Sequence, residues 1–407
     1  MGRSKGLDTP NFQKYGVPFY SAAWVPFKSI RFEHESQGQE EDRNQSSDQI
    51  SRADGSSLAP EPSADYNYIA FAGGGGEGRS GIPNAVVLAR FDYTSNVLSN
   101  QPVAKLGTDS DLPYRMGVHP GRDGLICSMP KSCRWFEWEV EKSEEVHKLG
   151  LKLSGKVLTQ LEDVGQQLAL VFNKEGSALA AGGQDGNLRV FKWPSMEITL
   201  NEAGAHTTLK DLDFSPDGKY LVSLGNSGPA RVWGVTSSTV IASLPKENDE
   251  VFSSCKFSES SDKNQVLYIA AVTGKGGSIV TWNPATWKRM GSKSVARDTI
   301  SAFNVSPDGK FLACGTIQGD ILILNSTSMR VQTMVRKAHL GFVTALAFSH
   351  DSRALASVSL DSSARVTLIE ERKKTGIEMF KRNLEGRWEN GGERIQISRK
   401  GERPVPK

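Results

Sequence analysis

Apolar and polar residues alternate with a period of two through much of this chain, in runs that are short for helices. The clearest run is Asp211-Leu212-Asp213-Phe214-Ser215-Pro216-Asp217-Gly218-Lys219-Tyr220-Leu221-Val222-Ser223, followed by Ala230-Arg231-Val232-Trp233 and preceded by His206. Phe303-Asn304-Val305-Ser306-Pro307-Asp308-Gly309-Lys310-Phe311-Leu312-Ala313-Cys314-Gly315 repeats it. A third copy runs from His339 through Ala347-Phe348-Ser349-His350-Asp351-Ser352 and Ala354-Leu355-Ala356-Ser357-Val358 to Asp361 and Ala364-Arg365-Val366. Alternation of this kind makes half-buried strands. Ser-Pro-Asp-Gly supplies a tight turn between two of them, because Pro presets φ and Gly tolerates φ > 0. A unit of this size cannot bury both of its faces alone, so copies stack around a ring.

The spacing therefore predicts an all-β chain, a seven-bladed WD-repeat β-propeller closed by an N-terminal strand. At roughly 40 residues per four-stranded blade, seven blades use most of the 407 residues. The blades are read at 67–108, 113–155, 166–200, 206–244, 249–290, 298–335 and 339–370. Blades two and five are divergent, so six or eight blades are also compatible with the pattern. The last blade is one strand short, and Pro18 to Val25 is expected to supply it, which removes an exposed sheet edge. The expected organisation is an N-terminal segment with the closing strand (1–32), a polar acidic insertion (33–65), the propeller (66–370) and a polar basic tail (371–407). The insertion has few apolar residues with which to offset its ordering entropy and is expected to be disordered.

Composition excludes several classes. The net charge of +3 is too small to imply nucleic-acid binding. No apolar run approaches the ~20 residues that cross a bilayer, and Met1-Gly2-Arg3-Ser4-Lys5 has no apolar core of a secretory signal. Cys127, Cys133, Cys255 and Cys314 form no C-x-x-C pair, which argues against zinc and for a reducing compartment. His206 and His339 stand where WD repeats place a histidine that bonds within the blade. Trp193, Trp233 and Trp282 are expected to fill gaps between blades. Glu137, Glu139 and Glu141 alternate around Trp138 as the solvated side of a strand, and no Ser/His/Asp order has a nucleophile-elbow context.

One segment stands outside this repeat logic: Phe71-Ala72-Gly73-Gly74-Gly75-Gly76-Glu77-Gly78-Arg79-Ser80-Gly81-Ile82-Pro83-Asn84, ahead of a strand from Ala85 to Phe91. Four consecutive glycines lose much backbone entropy on ordering, and an ordinary hairpin needs two such residues. Glycines leave backbone amides or carbonyls free to converge on an ion or partner, Pro83 stiffens the far end, and Asn84 presents a short amide at the exit. A phosphate cradle does not fit, because no Gly-Lys-Ser/Thr is present and a strand follows where such loops open a helix. Composition leaves a flexible structural hairpin and an ion- or partner-binding loop both open.

From Ala72 to Asn84 the chain resembles the endoplasmic-reticulum exchange factors that activate the Sar-type small GTPase of COPII vesicle budding. Tyr15-Gly16-Val17-Pro18-Phe19-Tyr20, Asp111-Leu112-Pro113, Lys337-Ala338-His339 and Ala356-Ser357-Val358-Ser359 carry the likeness across residues 15–370. The resemblance implies a WD-repeat guanine-nucleotide releasing factor, not a bond-making enzyme, that speeds GDP loss from the GTPase at the cytosolic face of the endoplasmic reticulum. It implies a loop organised around potassium, with Gly75, Gly76, Glu77 and Gly78 near the ion. Gly73, Gly74, Arg79, Ser80 and Gly81 would face the GTPase, Ile82 and Pro83 would make apolar contact, and Asn84 would be the exchange-critical side chain. The family carries a membrane span just after the propeller. This chain has a polar tail there, so a propeller without that anchor is expected, with the basic residues near an anionic membrane surface. The alternative is a WD-repeat scaffold or cargo-export factor of the early secretory pathway without exchange activity, and the intact loop argues against it.

Overall fold

The computed structural model describes residues 9–26, 66–77, 80–121, 123–142, 147–247, 249–259 and 264–369. These form seven antiparallel sheets in succession, with a single 3-10 turn at Thr159–Leu161. The blades span 19–107, 116–153, 167–202, 209–244, 251–296, 300–335 and 343–368, the last completed from the N-terminus. The expectation of a seven-bladed propeller closed by an N-terminal strand is borne out.

The closing strand is not the segment expected. Phe12–Lys14 pairs with the last strand, Phe12 opposite Arg365 and Lys14 opposite Ser363. The segment around Pro18 to Val25 instead supplies Phe19–Trp24, the innermost strand of blade one, paired with Tyr66–Gly73. The reason lies in burial. Phe19 and Trp24 are buried between blades seven and one, with Trp24 Nε1 donating to the Ala347 carbonyl at 2.9 Å. Phe12–Lys14 needs only one buried residue, because an outer strand has one covered side. The insertion at 33–65 consequently joins the first two strands of blade one; it and the tail at 371–407 lie outside the described residues.

The repeated turns form as their residues dictate. Ser215 Oγ donates to Asp217 Oδ1 at 2.7 Å, and Gly218, at φ +68°, donates its N–H to the Ser215 carbonyl at 2.8 Å. Trp193, Trp233 and Trp282 sit in the clusters that weld blades two to three, three to four and four to five. Each fully buried aromatic of this kind contributes roughly 1.5–3 kcal/mol through apolar area removed from water. His206 Nε2 and Trp233 Nε1 both reach Ser223 Oγ, at 2.8 and 2.9 Å. His339 reaches Ser363 Oγ at 2.6 Å and Ser357 Oγ at 2.8 Å. All four cysteines are free and buried, and burial pushes the thiols up. No helix among the described residues is long and apolar enough to cross a membrane.

Candidate functional site

In an up-and-down blade, the connection between the second and third strands leaves the ring at the same end as the connections that enter each blade. The glycine-rich loop joins Tyr66–Gly73 to Ala85–Asp92, the second and third strands of blade one. It therefore shares an end of the ring with the linker into blade two, residues 108–115, and the turn into blade one, residues 15–18. Both brace it.

Asn84 is the centre of this bracing and is 3% exposed. Its Oδ1 accepts the Gly76 N–H at 3.0 Å, and its Nδ2 donates back to the Gly76 carbonyl at 3.1 Å. The same Nδ2 donates to the Asp109 carbonyl at 2.9 Å. The side-chain amide thus stands in for a peptide group, pairing with Gly76 as a neighbouring strand would and tying the turn to the next linker. Only a primary amide of this length offers the donor and acceptor together. The main chain continues the tie, with Thr108 N–H donating to the Asn84 carbonyl at 3.0 Å. Thr108 Oγ1 then donates to the Asp111 carbonyl at 2.6 Å, and the Asp111 carboxylate pairs with Arg134 of blade two.

The glycines allow this packing by close approach. A Cβ on Gly73 would stand 2.0 Å from the Pro18 carbonyl oxygen, and one on Gly74 would stand 2.1 Å from Asn84 Oδ1. Gly74 N–H donates to that Pro18 carbonyl at 2.9 Å. Beneath, Tyr15 stacks on Phe71 at 6.1 Å and donates its hydroxyl to the Ser99 carbonyl at 2.6 Å; burial pushes its phenol well up.

The loop therefore has a fixed base and a solvent-facing tip. Gly73, Gly74 and Asn84 are buried, and Gly75 and Gly76 half-buried. Glu77, Ser80, Gly81, Ile82 and Pro83 are exposed, Ile82 by 39%. Gly78 and Arg79 lie outside the described residues. Asn84, expected to present a short amide at the loop's exit, is buried there, with two hydrogen bonds to Gly76 of the loop and one to Asp109 of the next linker. The bracing by Asp109 and Pro18 was not foreseen, since both act through main-chain carbonyls that no side-chain pattern reveals.

A Cβ on Gly75 would stand 2.3 Å from the Ser80 hydroxyl oxygen and 2.9 Å from both the Ile82 Cβ and the Ile82 carbonyl oxygen, so residues 80–82 fold back on the turn too closely for a side chain there. No group of three or more His, Cys, Asp or Glu residues placed to hold a metal occurs among the described residues.

Comparison with known proteins places these features in context. Residues 330–367 match the model for the WD domain, G-beta repeat. SEC12-like protein 2 of Arabidopsis thaliana is 52% identical over 363 residues, 89% of this chain and 88% of that protein. SEC12-like protein 1 of the same plant is 32% identical over 70% of this chain and 71% of its own length. The guanine nucleotide-exchange factor SEC12 of Rattus norvegicus is 24% identical over 75% of this chain and 87% of its own length.

Proposed function

Because the chain belongs to the SEC12-like family, we propose that it is a guanine-nucleotide exchange factor for the Sar-type GTPase. In this reading it acts at the cytosolic face of the endoplasmic reticulum, where loaded GTPase begins COPII coat assembly. The observation that carries the reading is the division of the loop into a base held by Asn84 and an exposed tip at Ile82 and Pro83. An exchange factor forms no bond. It binds the nucleotide-free GTPase more tightly than the GDP-bound form and shifts the population accordingly. A held base suits that task, since backbone already fixed by Asn84 loses little further entropy when the loop engages the partner's nucleotide pocket.

Ile82 and Pro83 form the apolar contact in this account, with Ser80 and Gly81 beside them. Asn84 is a positioning residue: it holds Gly76 and Asp109 and leaves contact to the tip. Potassium, when bound by the oxygens around Gly75 and Gly76, supplies positive charge that holds the turn's carbonyls together. The rat relative, named as a guanine nucleotide-exchange factor, supports the reading. The alternative, a SEC12-like scaffold or cargo-export factor that binds the GTPase without releasing nucleotide, draws on the names of the two plant relatives, which state no activity.

The test is release of a fluorescent GDP analogue from the Sar-type GTPase. Ile82→Asp with Pro83→Ala is expected to lower the acceleration by ten-fold or more, with the melting temperature unchanged because both side chains are exposed. Equal rates for variant and wild type would remove the tip from the mechanism.

A further inference from the structure

Blade seven adjoins blade one around the ring, and its loops at the same end carry exposed apolar side chains. Leu340 is 64% exposed and Phe342 51%, both in the connection entering blade seven; Leu360, at 38%, lies in the turn between that blade's second and third strands. These two loops are tied together, with Leu340 N–H donating to the Asp361 carboxylate at 2.7 Å. Asp361 also accepts the Ser363 N–H at 3.0 Å, so the carboxylate that caps the entering loop is itself anchored. The tie then continues toward the glycine-rich loop. Tyr15 N–H donates to the Ser362 carbonyl at 3.2 Å, and Gly74 N–H to the Pro18 carbonyl at 2.9 Å, so the turn at residues 15–18 joins one to the other.

We infer that Leu340, Phe342 and Leu360 are a second docking surface for the same GTPase, continuous with the loop tip. The inference rests on the exchange reading above. Large apolar residues on loops need an explanation that scattered surface aliphatics do not, and grouped on one rim they mark association sites. By contrast, Val240, Ile241, Met290, Val331 and Met334 are exposed along the outermost strands of blades four, five and six, at the circumference. Exposed Arg336 and Lys337 border the patch with positive charge, the arrangement of an apolar centre and polar rim that protein interfaces use. The relay through residues 15–18 also ties the loop base to the patch, so one partner can engage both loops. The roles then separate. The patch supplies binding energy held in common by GDP-bound and nucleotide-free GTPase, and the tip acts on the pocket.

That separation is measurable with the full chain. The rate of fluorescent GDP release is followed as exchange factor is titrated against Sar-type GTPase, and direct binding is followed by calorimetry. Leu340→Ser with Phe342→Ser is expected to raise the half-saturating concentration about ten-fold or more, the usual scale for losing central apolar anchors, while the plateau rate is retained. Val240→Ser with Ile241→Ser makes the same kind of change at the circumference and is expected to leave both quantities at wild-type values. Equal melting temperatures for all three proteins establish that the effect is not unfolding. If wild type is active and the Leu340/Phe342 variant titrates identically, the inference falls and the exchange reading stands. If wild type binds but does not speed release, the exchange reading falls, and weaker binding by the variant still supports the patch. A wild-type chain that neither binds nor releases overturns both.

Discussion

Asn84 shows how much a single side chain can settle. Its position at the end of the glycine run marks it as important, yet only the fold reveals that its amide is turned inward on Gly76 and Asp109. Asn84→Asp keeps the shape but replaces two donations with a carboxylate oxygen facing two carbonyls. Leaving buried partners unpaired in this way costs about 1–3 kcal/mol, which the loop would meet by opening locally. Gly74→Ala should reproduce the effect from the opposite side, since its methyl would occupy the space of Asn84 Oδ1. Both variants are expected to speed amide exchange at Gly76 while leaving the blade strands protected; unchanged exchange at Gly76 would contradict the positioning role. The blade histidines offer a second residue-scale expectation. Burial pushes His206 down to about 4, and burial likewise lowers His339 despite the nearby Asp361 carboxylate. Folded pKa values below the ordinary 6.5 mean that the unfolded chain takes up protons first. Their stability contribution is full above about pH 6.5 and is lost as pH falls toward 4. The melting temperature is expected to drop over that window, and His206→Gln to drop less steeply from its own starting value. Parallel slopes would show that His206 does not set this dependence.

At the scale of elements, the repeats with intact Ser-Pro-Asp-Gly turns were legible because their signals are local. Proline, glycine and period-two alternation act within a few residues of themselves. The closing strand was misplaced for the complementary reason. Phe12–Lys14 is three residues long with one buried side chain, and its identity is set by a partner more than 350 positions away. Pro18 to Val25 carries a stronger strand pattern, and that strength reflects the two-sided burial of an inner strand, not closure of the ring. Phe12 packs under the Arg365 guanidinium at 5.0 Å and beside His339 at 6.2 Å. Phe12→Ala is therefore expected to lower stability by about 3 kcal/mol, near the low end for buried aromatics, seen as a lower urea midpoint. A midpoint equal to wild type would mean that the short strand does not hold the ring shut.

For the whole molecule, ring closure turns distant sequence segments into neighbours, and the candidate site depends on this. The glycine-rich loop was legible as an unusual feature, because four glycines in a row have no structural need in a hairpin. What holds it, the linker at 108–111 and the turn at 15–18, was not legible, since the contacts run through main-chain atoms brought together only by the closed ring. The apolar loops of blade seven were hidden for the same reason: only the fold leaves Leu340 and Phe342 exposed on the rim that carries the loop. The role proposed for this rim is nucleotide release. The most direct measurement is the rate at which the Sar-type GTPase loses a fluorescent GDP analogue in potassium buffer with excess GTP, with and without the full chain. The expected rate rises with added wild-type chain and saturates, and the acceleration falls at least ten-fold when Ile82 and Pro83 are replaced together. A GTPase that binds the chain yet loses GDP at its intrinsic rate would contradict it.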